Sequence, residues 1–176
     1  MKKRDKWVID ADIARSSGTT EHPVSKSCRE FLDFIRDQGY FVVMNAALSS
    51  EWNQHHSIYA KRWLASMYAR KQVIRHEDGG FNFEQKIISS SLSDVQKDAA
   101  LKDMHLLNAS RNHGKTIASG DNTAREIYVV LAISYREIAD FFWVNPKNES
   151  QMLIEYISNS KSSKAEWYLS KGYHDR

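Results

Sequence analysis

The side chains best suited to chemistry are four carboxylates that lie far apart in the sequence: Asp10, Glu51, Asp103 and Asp121. Carboxylates that converge in a fold repel one another strongly unless a cation neutralises them. Mg²⁺ and Mn²⁺ prefer hard oxygen ligands and keep water in their open coordination positions. If the fold gathers these acids, the sequence therefore predicts a divalent metal site. Whether it does so depends on the elements that carry them.

Asp103 lies on a predicted helix at a position that should be apolar. Ser93 and Gln96 form a capping-box pair at the start of this helix, and Gly114 supplies a stop. Its inward face is marked by residues at helical spacing: Ala99, Leu106, Leu107 and Ser110. At about 100° per residue, Asp103 falls within that apolar stripe. An ionised carboxylate there is costly unless a positive group meets it.

Asp10 ends a predicted strand. Residues 7–9 are apolar without alternation, which is typical of a central strand, and Asp12 follows two positions later. Asp12 is interpreted as a structural turn residue more readily than as a ligand. Open α/β sheets place their ligand sites at the carboxyl ends of strands.

Asp121 holds the corresponding position after a second predicted strand. Residues 115–119 are short and apolar in the middle, and Ser119 and Asp121 end the run. Thr123 and Glu126 predict a capping box that opens the next helix. If this strand neighbours the strand of residues 7–9, the carboxylates at their ends converge.

Glu51 is expected in the first turn of a helix that Ser49 or Ser50 caps and that runs to about Arg75. A first-turn glutamate is ordinarily a favourable partner of the helix dipole, so this acid also has a plain structural explanation.

The order of elements predicts the fold class. Strands are expected at residues 7–9, 40–44, 115–119 and 141–144, with helical segments between them. This alternation favours a three-layer α/β sandwich with a mostly parallel sheet of four or five strands. Residues 1–146 are expected to form the main domain. Residues 147–176 are expected to form a helical extension with a partly mobile polar end.

Composition bounds the functional class. The chain has 176 residues, of which 41% are hydrophobic, enough for one domain with a core. Its 25 basic and 22 acidic residues are mixed, so charge alone does not argue for a polyanionic partner. We expect no membrane span and no signal peptide. The single cysteine, Cys28, fits a reducing, cytoplasmic compartment and is expected in the core.

Several motifs together resemble the PIN-domain nucleases across Trp7 to Pro146. They are, in chain order, WVIDAD, LSSEW, LKDMHLLNAS, IASGD and FFWVNP. The four-acid site of that family maps residue by residue onto Asp10, Glu51, Asp103 and Asp121. Asp12 stands where the family often has asparagine, and Ser119 where it usually has serine or threonine.

The resemblance implies a PIN-like fold and metal-dependent hydrolysis of phosphodiesters, RNA foremost. One or two Mg²⁺ or Mn²⁺ ions would offset the charge that develops on the phosphate oxygens and activate a water. Asp10 and Asp121 would contact metal directly, and Asp103 would bind it directly or through water. Glu51 would bind a second ion or orient the attacking water, and Ser119 would hold a carboxylate or water.

Alternatives remain open at this stage. One is a structure-specific DNA nuclease that uses the same acids. Another is a non-catalytic module that binds nucleic acid or a protein partner. An endoribonuclease could serve as a toxin, in defence or in RNA processing, and the partners to consider are an antitoxin or other inhibitor protein and a second copy of the chain.

A basic and aromatic segment from Lys61 to Arg75 is a candidate RNA track, with Arg62 and Arg70 as phosphate contacts. It can equally be a solvated face whose Trp63 and Tyr68 lie in the core. His55 and His56 are interpreted as ordinary surface residues, because adjacent rings on a helix cannot share one metal, and His105 and His113 are expected to face solvent.

Overall fold

A five-stranded, all-parallel sheet organises the chain, as shown by a computed structural model that describes residues 5–79, 83–159 and 165–170. Helices flank the sheet in a three-layer α/β arrangement, which confirms the predicted fold class. The spatial order is β3-β2-β1-β4-β5. The strands are β1 (Lys6–Ile9), β2 (Phe41–Met44), β3 (Val73–Arg75), β4 (Thr116–Ala118) and β5 (Phe142–Val144).

The described helices connect and cover these strands. They are α1 (Ala11–Ser16), α2 (Pro23–Asp37), α3 (Ala46–His55), α4 (Ile58–Ala69), α5 (Glu84–Ile88), α6 (Asp94–Ser110), α7 (Asn122–Ser134), α8 (Arg136–Ala139) and α9 (Pro146–Asn159). A short 3₁₀ helix, Ala165–Trp167, follows. No described helix is long and apolar enough to cross a membrane.

β1 lies at the centre because it is apolar on both faces. Trp7, Val8 and Ile9 have no exposed surface, which is typical of a strand covered by helices on either side. Lys6 and Trp7 align with β2, whereas Val8 and Ile9 align with β4. The carboxyl ends of β1 and β4 therefore lie side by side.

The prediction of a single helix that runs to about Arg75 is wrong, because that segment forms α3, α4 and then β3. His56 is extended, and the Ser57 hydroxyl accepts a bond from the Ala60 N–H at 3.0 Å to begin α4. α3 itself begins earlier than expected. Asn45 caps it by accepting from the Leu48 N–H at 2.9 Å, so Glu51 lies beyond its first turn.

One predicted helix start is confirmed and another is wrong. The capping box of Ser93 and Gln96 opens α6 as expected. The helix after β4 begins instead at Asn122, because Oδ1 of Asp121 accepts from the Ala124 N–H at 2.8 Å. Residues 119–121 thus connect β4 to α7.

The chain after β5 packs back onto the sheet layer. α9 lies along α2 and has a kink at Glu149. Tyr168 pairs with Phe142 of β5 through an isolated bridge. The domain boundary placed at residue 146 stays a prediction. The polar end expected to be partly mobile falls mostly on residues 160–164 and 171–176, which lie outside the described residues.

Candidate active site

One cavity of about 530 Å³ is lined by all four acids singled out in the sequence, and we call it the acidic cleft. It opens where β1 and β4 end. Its acidic lining residues are Asp10, Asp12, Glu51, Asp103 and Asp121. Parallel neighbouring strands and two helices, α3 and α6, thus bring distant carboxylates to one edge of the sheet.

Asp10 is held from two sides. Its Oδ2 accepts a hydrogen bond from the Ser119 hydroxyl at 2.7 Å, and its Oδ1 accepts a weaker one from the Asp12 N–H at 3.4 Å. Burial raises the pKa of Asp10, and the charge of Glu51 adds to the rise, while the Ser119 bond and the charge of His105 oppose it. The carboxylate is therefore oriented but short of positive charge.

Ser119 also fixes the backbone of Asp121. The Asp121 N–H donates to the Ser119 hydroxyl at 3.1 Å, so this fully buried side chain links the ends of both strands. Asp121 uses Oδ1 as the cap of α7. Its side chain is thereby placed beside the positive end of a helix dipole, which stabilises an anion.

The pKa of Asp103 is raised by burial and by the negative charge of the cleft. Its pKa rises from 3.8 to about 6, first because it is partly buried and then because Asp10 and Asp121 repel its ionised form. Lys102 and His105 oppose this rise without cancelling it. Asp10 and Asp121 therefore lie close enough to Asp103 to disfavour its ionised form.

Glu51 has a partner that the sequence analysis missed. Nε2 of His105 lies 3.1 Å from its Oε2, at an angle that does not make a hydrogen bond. The prediction that His105 faces solvent is wrong, since only 13% of its side chain is exposed where α3 meets α6. The same prediction is wrong for His113, which is half-buried with a ring nitrogen 3.2 Å from that of His76.

Asp12 forms an ion pair with Lys147, a second partner that the sequence analysis missed. Lys147 Nζ lies 2.8 Å from Asp12 Oδ2, and the Gly120 N–H donates to the same oxygen at 3.0 Å. Burial and the charge of Asp10 raise the pKa of Asp12, and Lys147 lowers it. The only available signal was that Lys147 directly follows the Asn-Pro pair after the last predicted strand.

Gly120 leaves room for this ion pair. A Cβ at that position would lie 2.5 Å from Cε of Lys147 and 2.6 Å from Oδ2 of Asp12. Both distances are far inside van der Waals contact, so a side chain would displace the lysine, the carboxylate or both. A glycine between the two strand-end residues is therefore part of the construction of the cleft.

The donor chemistry of the cleft fits a hard divalent cation, although no described set of three His, Cys, Asp or Glu side chains is arranged as a ready metal cage. Mg²⁺ needs no such cage, since it commonly binds one or two carboxylates and completes its shell with waters and substrate phosphates. Asp12 and Glu51 are engaged by Lys147 and His105. Among the described residues, the cleft carboxylates without an ion-pair partner are Asp10, Asp103 and Asp121.

Other candidates from the sequence lie elsewhere. Arg62 and Arg70 are exposed on and directly after α4 and do not line the acidic cleft, whereas Arg15 and Lys102 do. The solvated-face interpretation of the same segment placed Trp63 and Tyr68 in the core. Trp63 is buried as expected, but Tyr68 is 45% exposed.

Cys28 lies in the core as expected, and burial raises the pKa of its thiol to about 12. The thiol therefore stays protonated and is not a nucleophile.

The fold and the cleft define an α/β protein that carries a carboxylate-lined cavity at the carboxyl edge of a parallel sheet. Comparisons with protein-family models, curated proteins and solved structures found no match to this chain.

Proposed function

We propose that this chain is a Mg²⁺- or Mn²⁺-dependent endoribonuclease of the PIN-like type. The observation that supports the proposal is the acidic cleft. Carboxylates that follow β1 and β4 and carboxylates on α3 and α6 line this one cavity. The raised pKa of Asp103 reflects its burial first and then repulsion by Asp10 and Asp121, which a divalent cation would relieve. A half-buried cluster of acids that costs stability is more readily explained by chemistry than by folding.

Each residue has a distinct role in the proposal. Asp10, Asp103 and Asp121 would hold the cation, which would offset charge on the phosphate and lower the pKa of a water. Ser119 orients Asp10 and the backbone of Asp121. Glu51 would orient the attacking water or bind a second ion.

RNA is the proposed polymer, and two exposed cations at the rim of the cleft, Arg15 and Lys102, suit its phosphates. The proposed enzyme would act in the cytoplasm, in RNA processing, in defence, or as a toxin that an inhibitor protein binds. A DNA substrate would use the same phosphate contacts, so matched substrates must decide between the two polymers.

The test compares cleavage of single-stranded RNA and single-stranded DNA of the same sequence, with Mn²⁺ and with a chelator. Asp10→Asn and Asp121→Asn should each reduce cleavage by about 100-fold or more. Asp98→Asn, on an exposed position of α6, is the matched control and should keep activity. Full activity in either cleft variant would overturn the proposal.

A non-catalytic binding module is the second candidate, and one observation favours it. Asp12 and Glu51 are already partnered by Lys147 and His105, and no ready three-ligand cage is present among the described residues. Calorimetric titration with Mn²⁺ separates the two functions. The nuclease requires binding that Asp10→Asn weakens, whereas a module whose acids serve folding alone binds no ion there.

A further inference from the structure

His55 lines the acidic cleft but has no role in the function proposed above. It is the last residue of α3 and follows Glu51 by four positions. Residues four apart lie on the same face of a helix, with Cβ atoms about 5–6 Å apart. The charge of Glu51 adds to the burial that raises the pKa of Asp10, so those two carboxylates are near neighbours. His55 therefore borders the part of the cleft in which the acids meet.

The His55 ring is free to meet a bound molecule. The residue is exposed, and it has no hydrogen bond or ion pair with the part of the chain that the structure describes. The other described histidines each have a polar contact: His22, His56, His76, His105 and His113. Among the described histidines, His55 is thus the one that both lines the cleft and keeps its ring nitrogens available.

Hydrolysis of a phosphodiester needs a proton donor as well as an activated water. The leaving oxygen departs as an unstable alkoxide unless it gains a proton, and a general acid placed there contributes about 100- to 10,000-fold to the rate. Arginine and lysine side chains hold their protons firmly at neutral pH. The rim cations Arg15 and Lys102 therefore suit phosphate binding better than proton donation.

The acids of the cleft are also poor donors once a cation is bound. Burial and the neighbouring carboxylates raise the pKa of Asp103 to about 6, but a carboxylate that binds metal does so in its deprotonated form. Histidine exchanges protons readily near neutral pH. His55 also lies in the last turn of α3, where the helix dipole favours a positive charge. Of the cleft side chains, His55 is best suited to donate a proton.

We propose that His55 is the general acid of the nuclease and donates a proton to the leaving oxygen of the phosphodiester. Water attacks phosphorus, and the bond from phosphorus to the leaving oxygen breaks with its electron pair on that oxygen. The oxygen takes the proton of the protonated ring. The attacking water loses a proton to solvent through Glu51, and solvent reprotonates His55. One phosphomonoester and one alcohol result. This proposal rests on the nuclease function and adds a catalytic residue to it.

The first test replaces the ring with an amide, which can donate a hydrogen bond but cannot transfer a proton. His55→Gln should slow cleavage of single-stranded RNA with Mn²⁺ by about 100-fold or more. Asn53→Gln, on an exposed position of α3 outside the cleft, is the matched control and should keep activity. Cleavage by His55→Gln at the rate of the parent chain overturns the proposal.

The second test removes the need for the proton. Two RNA substrates carry sulfur in place of either the 3′- or the 5′-bridging oxygen at one linkage. In the isomer whose sulfur is the leaving atom, a thiolate departs without protonation, because thiols are far more acidic than alcohols. His55→Gln should cleave this isomer within about threefold of the parent rate. An equally large loss on the oxygen and sulfur substrates would show that His55 does not act by proton transfer, and overturns the proposal.

Two measurements separate this failure from failure of the nuclease function. Asp10→Asn should reduce cleavage of oxygen- and sulfur-linked RNA alike by about 100-fold, and full activity in that variant overturns the nuclease function itself. RNA cleavage that requires Asp10 but not His55 overturns only the present proposal. Calorimetry should give His55→Gln the Mn²⁺ affinity of the parent chain. An affinity lowered by about tenfold would make His55 a metal ligand and overturn its role as proton donor.

Discussion

The hydroxyl of Ser119 donates a hydrogen bond of 2.7 Å to Oδ2 of Asp10, and this bond joins the ends of β1 and β4. The same hydroxyl accepts from the Asp121 N–H at 3.1 Å. One buried side chain thus sets the separation and orientation of two candidate metal ligands. Side chains that fix ligating carboxylates in this way strongly influence metal affinity.

Ser119→Ala should weaken both folding and the proposed metal site. Loss of the hydroxyl leaves the Asp10 carboxylate with less support and should lower the free energy of unfolding by about 1–3 kcal/mol. Because the Ser119 bond lowers the pKa of Asp10, its removal should move the acid limb of the pH–activity profile to higher pH. Urea unfolding and activity measured across pH test both effects. Ser119→Thr keeps the hydroxyl and should have the pH–activity profile of the parent protein. An unchanged profile in Ser119→Ala would contradict the role of Ser119 in lowering the pKa of Asp10.

Lys147 is expected to stabilise the fold through Asp12. Lys147→Met leaves a largely buried carboxylate beside Asp10 without its cation and should cost about 1–3 kcal/mol at neutral pH. Asp12→Asn combined with Lys147→Met should cost less than the sum of the single changes, with a coupling of about 1–2 kcal/mol. Chemical denaturation of the four proteins measures this coupling. Additive effects would show that the 2.8 Å contact carries no interaction energy.

Gly120→Ala should reproduce part of the Lys147→Met effect, because the new Cβ overlaps both members of the ion pair. The lysine can swing away, but Asp12 cannot move without loss of its bond from the Gly120 N–H. We expect destabilisation of about 1–3 kcal/mol and reduced metal binding. Gly18→Ala is the control, since a Cβ there meets no atom within 4 Å. Equal stability of the two variants would exclude steric conflict at Gly120.

The sequence was sufficient to predict four of the five strands and the sheet edge at which the acids lie, because both depend on local pattern. The continuous apolar run of β1 indicates a strand buried on both faces, and parallel connections bring Asp10 and Asp121 to one edge. Asp103 stands out because it interrupts an apolar stripe. These signals need only spacing and the geometry of regular elements.

The parts that could not be predicted depend on tertiary contacts. No glycine or proline marks the break at His56 and Ser57, so helical spacing alone could not separate α3 from α4 or reveal β3. Lys147 and His105 reach the acids Asp12 and Glu51 only because α9 and α6 pack where they do. When a basic side chain and its carboxylate partner are far apart in the sequence, no periodic pattern predicts their contact.

The cations that line the acidic cleft should contribute more to RNA binding than those of α4. Arg15→Ala and Lys102→Ala should each reduce the slope of log affinity against log salt by about 1. Arg62→Ala and Arg70→Ala, which alter exposed residues outside the cleft, should change it less. Titration of labelled single-stranded RNA at several salt concentrations gives the slopes. A larger effect from the α4 pair would restore the basic segment as the RNA track.

Asp103 gives the cleft a pH-dependent cost in stability. Its pKa is about 6 in the folded chain against 3.8 for the ordinary group. Between about pH 4 and pH 6 the folded state therefore holds more protons at this carboxyl than the unfolded state does. The free energy of unfolding falls as pH rises through that window and stays lower above it. A shift of this size corresponds to about 3 kcal/mol at most, and partial exposure reduces it to about 1–2 kcal/mol.

Asp103→Asn should consequently stabilise the protein at pH 7.5 by about 1–2 kcal/mol while it weakens the proposed metal site, because the amide cannot ionise beside Asp10 and Asp121. Near pH 4 the carboxyl of the parent protein is protonated, so the two proteins should be equally stable. Urea unfolding at pH 4, 5, 6 and 7.5 measures the difference, with exposed Asp98→Asn as control. Mn²⁺ should stabilise the parent more than the Asp103→Asn variant. A variant less stable than the parent at pH 7.5 would mean that the ionised carboxylate supports the fold, contrary to the repulsion inferred for the cleft.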